Sequence, residues 1–215
     1  MDLPQDDPPR IDWIGACDFG DGRPGRLGMT VLPGKRGPSV RYPGRVYRSN
    51  LDRDLESLTI AGARRLVLLV TDAELTRWSD SSIVERAAAL AVHVDRFPMP
   101  DGSPPADDAT MEAILDVISV GRDDGDVAVA CMGGVGRTGT VVACALIRAG
   151  WDPDDAIAHV RGLRHPTAVE TAAQERFVRA RRKGQGVSSR GWPRALDAAP
   201  RAPRPGPTRS RKRPR

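Results

Sequence analysis

The feature that most constrains this chain is residues 127–140, which read VAVACMGGVGRTGT. The stretch opens with small and β-branched apolar residues, a pattern typical of a buried strand. It then passes through three closely spaced glycines and enters the helical pattern of residues 141–148. A strand that turns tightly into a helix gathers backbone N–H groups at one point, with the positive end of the helix dipole behind them. The sequence therefore predicts a loop that binds an anion.

The side chains of this loop add chemistry to the anion site. Cys131 stands at its start, and Arg137 and Thr138 stand at its end. A thiol attacks only as the thiolate, so its ordinary pKa of about 8.5 must be lowered for it to react at neutral pH. The loop N–H groups, the helix N-terminus and the Arg137 guanidinium all favour the thiolate. A cysteine at a strand end is most often a small buried hydrophobe, but this combination favours a nucleophile.

The same donors suit a phosphoryl group, because its oxygens need several donors at once and the planar Arg137 fork can hold two of them. Thr138 can donate its hydroxyl to the sulfur when the thiolate leaves. We therefore predict covalent phosphoryl transfer onto Cys131. The residues expected to surround the phosphate are Met132, Gly133, Gly134, Val135, Gly136 and Arg137.

The leaving oxygen needs a proton, which a carboxylic acid on an exposed loop can supply. Asp101 lies 30 residues before Cys131, in the segment PMPDGSPP at residues 98–105. Its four prolines exclude helix and strand. An Asp-Gly pair can also be no more than a turn, and Asp95 is the reserve candidate. We take Asp101 as the candidate general acid.

Apolar runs typical of strands alternate with helical patterns along the chain. Residues 66–70, for example, read LVLLV, as expected for a strand covered on both faces. This alternation predicts an α/β fold with a largely parallel central sheet flanked by helices. We expect residues 34–44 to form a basic loop.

The net charge of +5 is unevenly distributed. Residues 184–215 carry nine Lys or Arg and one Asp, a net charge of +8, which leaves −3 for the other 183 residues. The composition predicts a loose N-terminal lead-in at 1–10, a catalytic domain at 11–183 and a disordered basic Pro/Arg-rich tail at 184–215. The tail has one tryptophan for stacking and no folded recognition motif, so solubility is the simpler interpretation and weak polyanion contact the alternative.

Three cysteines without framework spacing favour a reducing compartment. The N-terminal residues lack the basic and apolar regions of a secretory signal, and no apolar run approaches the length of a membrane span. We expect a cytoplasmic monomer with no membrane partner.

Residues 131–139, CMGGVGRTG, resemble the Cys-x5-Arg-Ser/Thr signature of the cysteine-based protein tyrosine phosphatases. The surrounding chain is similar to the compact dual-specificity group, and particularly to its kinase-associated phosphatase branch. LGMTVLPGK at 27–35, the run at 66–75 and PDGSP at 100–104 carry that similarity. The resemblance spans about residues 27–182.

The resemblance implies a protein tyrosine phosphatase-like sandwich and a cysteinyl-phosphate intermediate, with no metal or other cofactor. The implied substrate is a protein or peptide phosphorylated on tyrosine, and the resemblance leaves open whether phosphoserine and phosphothreonine are also hydrolysed. It further implies Asp101 as the general acid and Gln174 as a residue that positions water.

One position departs from the family pattern, because Ala130 stands where members usually have His before the cysteine. That departure leaves a phosphate-binding pseudophosphatase as an alternative function. A rhodanese-type sulfurtransferase is a second alternative, but its loop typically has one residue fewer before the arginine.

Overall fold

The structure is a computed structural model that describes residues 7–39 and 42–181. The predicted tail at 184–215 and most of the lead-in at 1–10 lie outside the described residues, so these domain boundaries stay a prediction. Within the described part of the chain, no helix is long and apolar enough to cross a membrane.

Strands and helices alternate along the chain, as the apolar pattern predicts. The strands are β1 (Asp12–Ile14), β2 (Leu27–Val31), β3 (Arg36–Pro38), β4 (Val46–Arg48), β5 (Ala63–Leu68), β6 (His93–Arg96) and β7 (Asp126–Cys131). The helices are α1 (Leu51–Ile60), α2 (Asp72–Trp78), α3 (Ile83–Ala89), α4 (Asp108–Asp124), α5 (Gly136–Arg148), α6 (Pro153–Leu163) and α7 (Ala172–Ala180). A 3₁₀ helix, Ala16–Phe19, follows β1.

The main sheet has five strands in the order β1-β2-β7-β5-β6. All neighbours are parallel except β1, which pairs antiparallel with β2. The α/β class with a largely parallel central sheet is therefore confirmed. β7 lies in the middle, with Val31 of β2 in register with Cys131 and Leu68 of β5 in register with Ala130. The chain thus leaves β2, β7 and β5 at the same edge of the sheet.

The central strand β7 is buried on both faces, which explains its continuous apolar sequence. Val127, Val129 and Cys131 belong to one core cluster, and Ala128 and Ala130 belong to the other. Helices α4 to α7 contribute to the first cluster, and α1 to α3 contribute to the second. The loop after β7 is therefore anchored between two packed layers of helices.

Residues 34–44 are not a simple loop. Arg36–Pro38 forms β3, which pairs antiparallel with β4, so a two-stranded hairpin stands where the sequence predicts only a basic loop. Glycine and proline inside so short a strand conceal its pattern. Gly37 has a φ of +96°, and a Cβ there would lie 3.0 Å from the Trp78 ring. The hairpin is held by this close packing rather than by strand propensity.

Candidate active site

The predicted nucleophile lies at the carboxyl edge of the sheet. Cys131 is the last residue of β7 and is 3% exposed, and α5 begins five residues later at Gly136. In α/β sheets, ligands bind beyond the carboxyl ends of the strands. The predicted anion loop therefore occupies the position where this type of fold places a site.

The electrostatics around Cys131 favour the thiolate. Burial by itself raises the pKa of this thiol, but the Arg137 charge, the Thr138 hydroxyl and the backbone N–H groups of Thr138 and Val135 outweigh burial and lower the pKa below its ordinary value. The Thr138 hydroxyl is buried and forms no other hydrogen bond within the described residues. Cys144 shows the opposite case, because burial raises its pKa to about 12. Of the two buried cysteines, Cys131 therefore has the thiol that ionises more readily.

Arg137 is 1% exposed, and its guanidinium is fixed by several acceptors. Its two terminal nitrogens donate to the Glu74 carboxylate at 2.7 and 2.8 Å, and Nη1 also donates to the Met99 carbonyl at 2.8 Å. Its Nε is buried and has no partner among the described residues. A buried donor without a partner is unfavourable, so Nε is the donor that an oxygen of a bound phosphate would satisfy.

Glu74, the main partner of Arg137, is not among the site residues predicted from the sequence. It is the third residue of α2 and forms a capping box with Thr71, whose N–H and hydroxyl donate to Oε2 at 2.9 and 3.0 Å. Burial raises the pKa of Glu74, but hydrogen bonds from Arg137 and Thr71 outweigh burial and lower it. The Thr-x-x-Glu pattern indicates the cap, but it does not reveal a partner 63 residues away.

The structure places the predicted general acid at the mouth of the loop. Asp101 has a side chain that is 79% exposed, and its Oδ1 lies 2.9 Å from Nη2 of Arg137. The backbone beside it is held from α7, because the Thr171 hydroxyl donates to the Gly102 carbonyl at 2.8 Å. A carboxyl group next to Arg137, the predicted phosphate-binding arginine, and open to solvent is positioned to exchange protons there.

Gln174 lies beside the site but has its amide already engaged. It is fully buried, and a Cβ at Gly136 would lie 3.2 Å from its Oε1. That oxygen accepts from the backbone N–H of Glu170 at 2.9 Å, and Nε2 donates to the Ser103 carbonyl at 3.3 Å. These contacts join α7 to the loop that carries Asp101. The predicted water-positioning role of Gln174 stays a prediction.

The sequence predicts a structural or substrate-rim role for Arg164, and the structure places this residue against the outside of the loop. Its Nε donates to the Gly134 carbonyl at 2.9 Å and its Nη2 to the Gly133 carbonyl at 3.3 Å. In a trans peptide the C=O and N–H point in opposite directions. Carbonyls held outward by Arg164 therefore direct the N–H groups of Gly134 and Val135 inward, and the Val135 N–H donates to the Cys131 sulfur.

Arg164 is itself held by the first strand. Its Nη1 donates to the Asp12 carboxylate at 2.8 Å, and both side chains are largely buried. Gly134 has a φ of +66°, and a Cβ there would lie 2.3 Å from the Thr30 carbonyl, so only glycine fits. Ala130, at the position of the usual His, is fully buried in the second core cluster. Arg164, rather than residue 130, supports the loop in this chain.

We expect Arg164→Leu to raise the pKa of Cys131, because the inward N–H groups lose their alignment. A higher thiol pKa means less thiolate at low pH, so kcat/KM at about pH 5 should fall roughly tenfold, with a smaller loss above neutrality. The measurement is the rate of iodoacetamide alkylation of Cys131 across pH, alongside the pH profile of kcat/KM. Arg148→Leu, which removes an arginine of α5 paired with Asp116, is the control. An unchanged alkylation profile in Arg164→Leu contradicts the role given to Arg164.

Comparisons with known proteins agree with this geometry. Residues 44–151 match a family described as "Polymorphic toxin system, DSP-PTPase phosphatase". Cyclin-dependent kinase inhibitor 3 of Rattus norvegicus is 25% identical over 154 residues, which cover 71% of this chain and 69% of the rat protein.

Two solved structures extend the comparison. Kinase associated phosphatase, with its catalytic-site cysteine replaced by serine, superposes with a TM-score of 0.70 at 23% identity, covering 81% of this chain and 94% of its own. Tk-PTP in the active form gives a TM-score of 0.57 at 28% identity, covering 75% and 94%. The fold is shared with both.

Proposed function

Because the chain belongs to the family described as "Polymorphic toxin system, DSP-PTPase phosphatase", we propose that it hydrolyses phosphotyrosine, and also phosphoserine and phosphothreonine, through a cysteinyl-phosphate on Cys131. Its resemblance to the cysteine-based phosphatases is confirmed, and it is an enzyme of the protein-tyrosine and dual-specificity phosphatase class. The observation that carries the proposal is the Cys131 thiol, with its pKa lowered, beside a buried Arg137 whose Nε has no partner among the described residues.

In the first step, the Cys131 thiolate attacks the phosphorus while the phosphate oxygens are held by Arg137 and the loop N–H groups. The S–P bond forms, and the bond from phosphorus to the substrate oxygen breaks. Asp101 donates its proton to the leaving oxygen, which departs as a neutral hydroxyl. The buried Arg137 stabilises the charge that spreads over the phosphoryl oxygens during the transfer.

In the second step, water attacks the phosphorus of the cysteinyl-phosphate. The Asp101 carboxylate accepts a proton from this water, the new P–O bond forms, and the S–P bond breaks. The departing thiolate is stabilised by the groups that lower its pKa, namely Arg137, the Thr138 hydroxyl and the backbone N–H groups. Inorganic phosphate leaves, and the site returns to its starting state.

Asp101→Asn tests this mechanism, because its effect on kcat should depend on the leaving group of the substrate. Asparagine keeps the shape but cannot donate the proton, so kcat for phenyl phosphate should fall about 10²- to 10³-fold. The loss should be much smaller for para-nitrophenyl phosphate, whose leaving group needs less protonation. Asp107→Asn is the matched control, since Asp107 caps α4 and asparagine caps equally well. Equal losses on both substrates contradict the assignment of Asp101.

Three further measurements separate the competing functions. Tight binding of a phosphopeptide without turnover would favour the pseudophosphatase suggested by Ala130. Transfer of sulfur from thiosulfate to cyanide would favour the sulfurtransferase. Turnover of phosphotyrosine peptides but not of phosphoserine or phosphothreonine peptides would limit the proposal to tyrosine.

A further inference from the structure

A strongly basic hairpin begins at the same edge of the sheet as the site and has no part in the mechanism above. We define the basic hairpin as residues 34–39 and 42–48, which contain β3 and β4. It carries four cationic residues and no acidic one, whereas the other residues of 1–183 sum to −7. The cationic residues are Lys35, Arg36, Arg45 and Arg48.

The basic hairpin starts close to the nucleophile. β2 precedes it and ends at Val31, which is in register with Cys131. Lys35 follows four residues later, and four residues span at most about 14 Å. The chains that leave β2 and β7 emerge at the same edge of the sheet, so the hairpin begins at the edge that carries Cys131.

Local contacts hold three cations of the basic hairpin in position, namely Lys35, Arg36 and Arg45. The Tyr47 ring is contacted by two of them, with Lys35 Nζ at 3.8 Å and the Arg45 guanidinium at 4.8 Å from its centre. Lys35 is only 8% exposed. Arg36 donates from Nε to the Ser49 carbonyl at 3.2 Å. Cations held in this way lose little side-chain entropy when they bind an anion.

Two arginines of the basic hairpin, Arg36 and Arg45, are exposed. Among the described residues, neither of them forms a salt bridge. Asp80, in the turn after α2, attracts Arg36 electrostatically, but its carboxylate is held by Ser82, whose N–H and hydroxyl donate to it at 2.9 and 2.7 Å. The guanidinium groups of Arg36 and Arg45 therefore remain available to a partner.

We propose that the basic hairpin binds acidic side chains flanking the phosphorylated residue of a protein substrate. This inference rests on the proposed function. A phosphoresidue in the loop fixes the position of its own chain, and an extended chain advances about 3.3 Å per residue. Acidic residues about three or four positions from the phosphoresidue would then reach the hairpin. Salt bridges at its exposed arginines contribute specificity for the sequence around the phosphate.

The test compares two phosphopeptides that are otherwise identical in sequence. The acidic peptide has glutamate at the third and fourth positions on each side of the phosphotyrosine, and the neutral peptide has glutamine at those positions. We expect the parent protein to prefer the acidic peptide in kcat/KM, and the preference to weaken as salt rises. The double variant Arg36→Glu/Arg45→Glu should reduce the ratio of kcat/KM on the acidic peptide to that on para-nitrophenyl phosphate about tenfold or more. All proteins keep residues 184–215, so the tail contributes equally to each.

Arg64→Glu is the matched control, because Arg64 is exposed at the opposite end of β5 from the site. An equal loss in this control, or a hairpin variant that keeps the acidic preference, overturns the proposal. So does a parent that turns over anionic phosphoinositide vesicles better than either peptide. If the parent lacks activity on para-nitrophenyl phosphate, the proposed function fails instead. Fluorescence anisotropy of the two peptides then still tests the hairpin, and equal affinities overturn it.

Discussion

Cys131→Ser is expected to abolish hydrolysis of para-nitrophenyl phosphate, with a loss in kcat of about 10⁵-fold or more. A serine hydroxyl does not ionise under the conditions that produce the Cys131 thiolate. The surrounding donors lower the pKa of the thiol from the ordinary cysteine range, and an alcohol starts far above that range. The S–P bond cannot form, so both steps of the mechanism are lost.

Phosphate binding should survive this substitution, because the loop N–H groups and Arg137 do not depend on the sulfur. We expect Cys131→Ser to bind a phosphotyrosine peptide about as tightly as the parent in isothermal calorimetry. In the parent, acid quenching during turnover should trap a phosphate on Cys131 that mass spectrometry locates. Cys144→Ser is the control: Cys144 is buried in α5 with a pKa raised to about 12, and its variant should keep activity. Turnover by Cys131→Ser would refute a covalent cysteine mechanism.

The parts of the site that could be predicted are those whose residues are close in sequence. Cys131, Arg137 and Thr138 belong to one loop, so a strand pattern, three glycines and a helix pattern were enough to place them together. Asp101 could be predicted because the prolines around it exclude regular structure and indicate an exposed loop. Both inferences depend on local backbone geometry, which neighbouring residues largely determine.

The supporting residues could not be predicted, because their contacts are made between distant parts of the chain. Glu74 meets Arg137 across 63 residues, and Arg164 meets Gly134 across 30. Glu74 lies on α2, where an exposed charged side chain is the usual interpretation, and Arg164 directly follows α6, where the sequence indicates only a structural or substrate-rim charge. Their role appears only once packing brings α2 and α6 against the loop. The basic hairpin was missed for a related reason, since Gly37 and its neighbours pack on Trp78 rather than follow a strand pattern.

The structure also changes the interpretation of Ala130, which stands where the family usually has His. From the sequence alone, Ala130 leaves a phosphate-binding pseudophosphatase as an alternative function. In the structure, Ala130 is fully buried among the leucines of the second core cluster, where a larger polar side chain would be crowded. The loop is instead oriented through its carbonyls by Arg164 and Asp12. An absent family residue therefore does not by itself indicate an inactive site.

Arg137→Lys is expected to lower kcat/KM about a thousandfold or more, although the positive charge is kept. The guanidinium holds the Glu74 carboxylate with two nitrogens and the Met99 carbonyl with one of them, which leaves the buried Nε without a partner among the described residues and free for the proposed phosphate contact. An ammonium group is a point charge and cannot maintain these directions together. Buried acceptors would lose donors, so we also expect a free energy of unfolding lower by about 2 kcal/mol. Steady-state kinetics and thermal unfolding measure the two effects.

Glu74→Gln tests how much of the activity depends on the orientation of the Arg137 guanidinium, because the charge of Arg137 is kept. The amide keeps the size of Glu74 but replaces one acceptor, so Arg137 should lose its fixed direction and kcat/KM should fall about tenfold. The folded-state pKa of Glu74 is lowered from the ordinary 4.5, so its contribution to stability is present above that value and is lost as pH falls through the lowered pKa. Glu74→Gln should remove this part of the acid dependence of stability. Full activity in Glu74→Gln would mean that the loop alone orients the Arg137 guanidinium. A loss as large as that of Arg137→Lys would mean that phosphate binding depends on the intact ion pair of Arg137 and Glu74.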